Sequence, residues 1–195
     1  MRKVSIERRT NETDVKLELN LDGSGKYKNE TGIGFLDHML DQFARHSLID
    51  LLTNVRGDIE IDFHHTVEDT GIVLGQALAQ ALGDKKGIQR YGFFSLVMDD
   101  ALVATALDAG GRSFLAWDVE FPTEKIGSFD TELLREFFQS LCANGGIALH
   151  ARLLNGTNSH HIAEATVKSV ARSLRMAISY EPRSPGELPS TKGTL

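Results

Sequence analysis

The chain is poor in the residues that would staple or interrupt a small protein. Cys142 is its only cysteine among 195 residues. That excludes an internal disulfide framework and any thiolate-built zinc centre, and it fits a reducing compartment. Cys142 falls on the apolar side of a predicted helix, where it packs as a small hydrophobe. Of four prolines, three (Pro182, Pro185 and Pro189) lie beyond Tyr180, so the body of the chain is free to run in long elements. No apolar run approaches the roughly 20 residues of a membrane helix. There is no surplus of positive charge. The net charge of −6 gives no electrostatic case for nucleic acid or an anionic membrane as partner. The opening MRKVSIERRT has basic residues but no apolar core of a signal peptide, so a cytoplasmic protein is expected.

Against this background the histidines stand out. Four of seven fall in two matching segments, His64-His65-Thr66-Val67-Glu68 and His160-His161-Ile162-Ala163-Glu164, each opening a long amphipathic stretch. On a helix, residues four apart share a face and neighbours diverge by about 100°. His64 and Glu68 can therefore grip one metal ion while His65 turns away, and likewise His160 and Glu164 with His161. Two motifs suggest two ions, each held by a His/Glu pair from one motif and the odd histidine of the other.

The motifs belong to a wider duplication. Residues 21–26, Leu-Asp-Gly-Ser-Gly-Lys, resemble residues 107–112, Leu-Asp-Ala-Gly-Gly-Arg, each a strand ending in a Gly-rich turn. Next come two helical stripes at the same spacing: Phe35, Leu36, Met39, Leu40 and Phe43, then Leu133, Leu134, Phe137, Phe138 and Leu141. Each leads to a strand, Ile49 to Val55 and Ile147 to Leu153. The His-His-x-x-Glu helices follow, with core positions Val67, Gly71, Leu74, Leu78 and Leu82 matched by Ala163, Val167, Val170, Leu174 and Ile178. Each half reads as strands, helix, strand, helix, and neither buries its apolar faces well alone. The expected fold is α+β with internal pseudo-twofold symmetry, mixed β-sheet packed on helices. It forms a single domain over 1–195, made of halves at about 1–90 and 91–180 and a tail from about 181. Gly71 and Gly75 cost a helix roughly 1 kcal/mol each. Close approach of another helix and simple tolerance account for them equally well. The Pro-rich tail is of a kind usually disordered.

The repeat pairs His38, on the polar side of the first helix, with Glu136 in the second half. Both are metal donors, which would give each ion four protein ligands with room for substrate or water. Mixed imidazole and carboxylate donors suit Mn, Fe, Co, Ni or Zn, and not Ca or Mg. His46, at the end of the first helix, faces the same cleft as His38 on this reading. His150 lies in a strand as a structural or supporting group.

Leu36 to Leu40, His64 to Asp69, Asp108 to Arg112, Ser159 to His161 with Glu164, Ser190 to Gly193 and the Arg9 to Thr13 opening together resemble the imidazoleglycerol-phosphate dehydratases over nearly the whole chain. The one visible departure is Glu136, where many members have His. The resemblance implies the ribosomal protein S5 domain 2-like fold. It also implies a hydro-lyase of histidine biosynthesis that converts D-erythro-imidazole glycerol phosphate to imidazole acetol phosphate through a dimetal-bound imidazolate. Carried over, it implies two Mn(II) ions per active site, one on His38, His65, His160 and Glu164, the other on His64, Glu68, His161 and Glu136. It implies Glu12 as the acid/base or hydroxyl-contacting carboxylate, Gln42 and His46 lining the substrate cleft, and Arg90, Arg112, Lys168, Ser190, Thr191 and Lys192 receiving the phosphate. It implies a homo-oligomer of 24 chains with sites at subunit contacts. A dinuclear hydrolase would more commonly bridge its ions with a shared carboxylate, which this pattern does not offer. Metal storage or sensing would ask for more sites or a nucleic-acid surface.

Overall fold

The computed structural model describes residues 2–195. The first half runs β1 (Lys3–Arg9), β2 (Thr13–Asn20), β3 (Tyr27–Glu30), α1 (Gly34–Ser47), β4 (Asp50–Gly57) and α2 (His64–Leu82). The second runs β5 (Tyr91–Met98), β6 (Ala101–Asp108), β7 (Phe114–Asp118), a short hairpin of β8 (Lys125–Ile126) and β9 (Phe129–Asp130), α3 (Glu132–Gly145), β10 (Ala148–Asn155) and α4 (Ser159–Ile178).

The two four-stranded sheets have matching orders, β1-β2-β4-β3 and β5-β6-β10-β7. In each, three strands are antiparallel and the edge strand, β3 or β7, is parallel to its neighbour. The duplication read from the sequence is therefore a duplication of topology. Alternation sets the inner faces: Val15, Leu17 and Leu19 of β2 and Leu51 and Val55 of β4 are buried, as are Val103 and Leu107 of β6.

The helices α1 and α2 cover the first sheet, while α3 and α4 cover the second. Across the halves α2 packs on α3 and α1 on α4, so the helices form the middle of the molecule. One apolar cluster runs through both halves, from Val15 to Ile178, which is why neither half is self-sufficient. The helix stripes fall where the periodicity put them, except that Phe35 is only partly buried. Its ring lies 5.1 Å from Phe129 and 5.5 Å from His160.

Gly71 and Gly75 now have one explanation. A Cβ on Gly71 would lie 2.6 Å from the Phe137 carbonyl oxygen, and one on Gly75 would lie 2.6 Å from that of Leu141. Backbone-to-backbone approach of α2 and α3 requires both. Beyond α4 the expectation of disorder is corrected, because the tail is docked. Gly87 N–H donates to Glu187 O and Glu181 N–H to Gly87 O, both at 2.7 Å, and an Arg90 Nη donates to Pro189 O at 3.0 Å.

Candidate active site

The histidine doublets open the two helices that the sequence assigned them. In α4, Asn158 is the N-cap, its side-chain oxygen accepting from His160 N (2.9 Å) and His161 N (3.2 Å). In α2 the Asp62 carboxylate does the same for His64 N at 2.8 Å. Capping fixes where each doublet starts, and the helical repeat then fixes where each ring points.

At the α1–α4 contact, His38 Nε2 and His160 Nε2 both donate to Glu164 Oε1, at 2.8 and 3.0 Å. These three donor atoms lie within 4.8 Å of one another, the only such three-residue cluster among the described residues. An ion with bonds of about 2.0–2.2 Å to imidazole and carboxylate holds its donors about 3–4 Å apart, so the set fits a borderline divalent metal. Lys168, one turn along α4, occupies the other oxygen, Oε2, leaving Oε1 for an ion. Burial works to raise the Glu164 carboxyl, and hydrogen bonds from Lys168, His38 and His160 outweigh it, holding it at about 2. Glu164 is buried, whereas His38 and His160 keep 40% and 43% of their side chains exposed, so the cluster opens to the surface.

The pseudo-equivalent α2–α3 contact presents His64 and Glu68, 3.9 Å apart and both well exposed, with the half-buried Glu136 on α3. The odd histidines join neither group. His65 Nδ1 donates to Asp58 at 3.0 Å and its Nε2 lies 3.9 Å from Glu12. His161 Nδ1 donates to Asp100 at 2.7 Å, with its Nε2 3.6 Å from Asp99. Within one chain the ligands expected for each ion are thus divided: three of four at His38, two adjacent at His64, and His65 and His161 pointing elsewhere.

Glu12 sits in the β1–β2 turn. Thr10 Oγ1 accepts from Glu12 N (3.1 Å) and Thr13 N (2.9 Å), while Thr13 Oγ1 donates to the buried Asp69. An Arg8 Nη adds an ion pair to Asp69 at 2.7 Å, so the turn is locked onto α2. His38, Gln42 and His46 follow one another at four-residue spacing on α1, on one face. Burial first, then Lys168, Arg172 and Arg45, push His46 below its ordinary value. His150 lies on the exposed face of its sheet, 5.7 Å from Phe114, away from both clusters.

The remaining cationic candidates gather at the other end of α4. Arg90, Arg112, Ser190, Thr191 and Lys192 line a cavity of about 650 Å³ between the docked tail and the start of β5. Arg90 is held there by Asp108, Nε to Oδ1 at 2.7 Å and Nη to Oδ2 at 3.0 Å. Lys168 is not among the lining residues. It stays with Glu164. Lys85, which the sequence offered no reason to choose, has its amine 3.4 Å from where a Cβ on Gly111 would sit. Burial depresses the amine, against the pull of Asp108. Arg90 N–H donates to Ala177 O, so the cavity is 13 residues along α4 from Glu164, about 20 Å at 1.5 Å per residue.

Known proteins resemble this chain in sequence and fold. Residues 31–174 match the family model for imidazoleglycerol-phosphate dehydratase. Curated relatives of that name from Paracoccus denitrificans and Cereibacter sphaeroides are 62% and 63% identical over 195 residues, covering all of both chains. The crystal structure of the Staphylococcus aureus dehydratase superposes with a TM-score of 0.84 at 35% identity, over 92% of this chain and 99% of that one. The Pyrococcus furiosus structure gives 0.83 at 34%, over 97% and 100%. Full-length identity at this level, on the same duplicated fold, places the chain in the imidazoleglycerol-phosphate dehydratase family, hydro-lyases of histidine biosynthesis.

Proposed function

We propose that the chain dehydrates D-erythro-imidazole glycerol phosphate to imidazole acetol phosphate, in the cytoplasm, with two Mn(II) ions per active site, in a homo-oligomer of 24 chains whose sites form between subunits. The observation that carries this reading is the convergence of His38 Nε2, His160 Nε2 and Glu164 Oε1 on one point. His38, His65, His160 and Glu164 would hold one ion, and His64, Glu68, His161 and Glu136 the other. When bound, the pair would supply Lewis acidity to the imidazole ring of the substrate.

The protein groups then have separate tasks. The proton to be removed lies on a carbon without an adjacent carbonyl, so a base alone is too weak. The electron-rich ring helps expel the hydroxyl from the neighbouring carbon. Glu12, in its locked turn beside His65, takes the C–H proton and passes it to the departing hydroxyl, which leaves as water, and the enol left behind becomes the ketone. His46, favoured neutral by burial and its cationic neighbours, and Gln42 line the path from His38. Arg90, Arg112, Ser190, Thr191 and Lys192 take the phosphate, with Lys168 beside the ring end.

The geometry favours shared sites. The substrate spans roughly 7 Å from ring to phosphate, given single bonds of about 1.5 Å. The cavity lies about 20 Å along α4 from Glu164. A phosphate in the cavity is therefore out of reach of the same chain's His38 cluster, which supports a ring bound at a cluster of another chain. Co-assembly of two impaired variants, Arg112→Ala and His160→Ala, assayed at substrate well below the parental KM, tests this. Mixed oligomers should recover part of the parental activity, because some sites combine an intact cavity with an intact cluster. Mixtures no more active than the average of the two separate variants would contradict the shared site.

A further inference from the structure

The two histidines left out of the intrachain clusters are the ones with a carboxylate on the rear nitrogen. His64 and His160 have a helical neighbour four residues on, Glu68 and Glu164, to steady them. His65 and His161 do not. The residue four on from His65 is Asp69, buried and committed to Arg8 and Thr13, and the one four on from His161 is Ala165. Each is held from outside its helix instead: His65 by Asp58 in the β4–α2 loop, 3.0 Å, and His161 by Asp100 in the β5–β6 turn, 2.7 Å. A carboxylate only accepts, so Nδ1 carries the proton and Nε2 the lone pair.

We infer that Asp58 and Asp100 are positioning residues that hold His65 and His161 as Nε2 donors for a metal ion assembled with other groups. The inference rests on the two-metal reading above. A ring that waits for an ion completed by another chain needs its tautomer and direction set beforehand, and a carboxylate behind a ligating imidazole does both.

The two aspartates are anchored differently, which makes the inference sharp. Asp100 Oδ2 accepts from Thr157 N (2.6 Å), Thr157 Oγ1 (3.0 Å) and Asn158 N (3.0 Å), and Oδ1 alone faces His161. In Asp100→Asn, those three donors claim the amide oxygen. The NH2 then faces Nδ1 and donates to it, which moves the ring proton to Nε2 and removes the lone pair a metal needs. Asp58 has a free alternative. Its Oδ1 is buried with no hydrogen-bond partner, so in Asp58→Asn the amide oxygen can stay on His65 and the NH2 take the empty side.

The test is Mn(II) titration of chelator-stripped protein, followed by the electron paramagnetic resonance of free Mn(II). Asp100→Asn should lose about 10- to 100-fold in affinity for one ion, Asp58→Asn should stay near the parent, and Asp58→Ala should lose about 10-fold. Thr157→Val, which removes a donor from Asp100 without touching the His161 contact, should lower thermal stability and leave affinity alone. Parental affinity in both Asp100→Asn and Asp58→Ala would overturn the inference while leaving the metal reading intact. A parent that binds no Mn(II) would overturn both. Should Asp100→Asn fail to fold, Asp58→Ala decides the matter at His65.

Discussion

Replacing Gly71 with Ala tests whether the α2–α3 contact is as tight as the structure makes it. The new Cβ would stand 2.6 Å from Phe137 O and 3.1 Å from Ser140 Cβ. Carbon–oxygen contacts relax at about 3.3–3.6 Å, so the helices must part by about 0.7–1 Å. Forcing a methyl into a packed contact costs about 1–3 kcal/mol, and Ala returns about 1 kcal/mol of helix propensity. The net expectation is a loss of up to about 2 kcal/mol, or up to roughly 8 °C in Tm for a chain of this size. Gly34→Ala is the control. It opens α1 with nothing within 4 Å of its Cβ, and should be neutral or slightly stabilising. The displacement also has a functional address. Gly71 lies three residues beyond Glu68, and Phe137 is next to Glu136. Parting the helices should weaken metal binding at His64 and Glu68 while sparing the His38 cluster. Denaturant midpoints and Mn(II) titrations on the metal-free variants read both effects. A Gly71→Ala protein more stable than the parent would mean that the contact has slack and the reasoning is wrong.

Three further outcomes are expected. Arg112 lines the tail cavity, so Arg112→Ala should raise KM by about 10-fold or more, the value of one charge-assisted hydrogen bond at about 1.5–3 kcal/mol; an unchanged KM would remove it from phosphate binding. Asp50 accepts from Ser24 N and Lys26 N at 2.8 and 2.9 Å, and although burial pulls the other way, these bonds hold its carboxyl below the ordinary 3.8. Its contribution is therefore present above pH 3.8 and lost as pH falls through the folded value, so the gap in unfolding free energy between parent and Asp50→Ala, about 2 kcal/mol near neutrality, should be flat there and close only in acid; a gap that widens on acidification would contradict the assignment. Burial pushes the Cys142 thiol up to about 12, so an aromatic disulfide reagent at pH 8 should leave the folded protein unlabelled and react after denaturation; rapid stoichiometric labelling of the native protein would show that α3 opens.

What was legible in the sequence is what depends on local periodicity. The apolar stripes of α1 to α4, the matched halves and the His/Glu pairs at i,i+4 follow from the helical repeat alone, and the sheets confirm the duplication strand by strand. The rest depends on distance in the chain. Asp100 is 61 residues from His161 and reaches it only because the β5–β6 turn lies over the start of α4; no spacing rule points to it. The direction of His65 and His161 depends on those same outside carboxylates. Gly71 and Gly75 stayed ambiguous until Phe137 O and Leu141 O were seen against them. The tail has the composition of a disordered segment, and its docking rests on Gly87 and Arg90, a cost in chain entropy that local propensity does not register. The phosphate candidates read as six solvated residues in sequence. Five share one cavity, while Lys168 is drawn to Glu164 by helical proximity.

The most direct test of the central claim is dehydration of imidazole glycerol phosphate by chelator-stripped protein, with and without added Mn(II). Activity that is absent from the stripped protein and restored by Mn(II), at two ions per chain, is the result predicted. Full turnover by the stripped protein, or none by a folded and Mn(II)-loaded one, would contradict it.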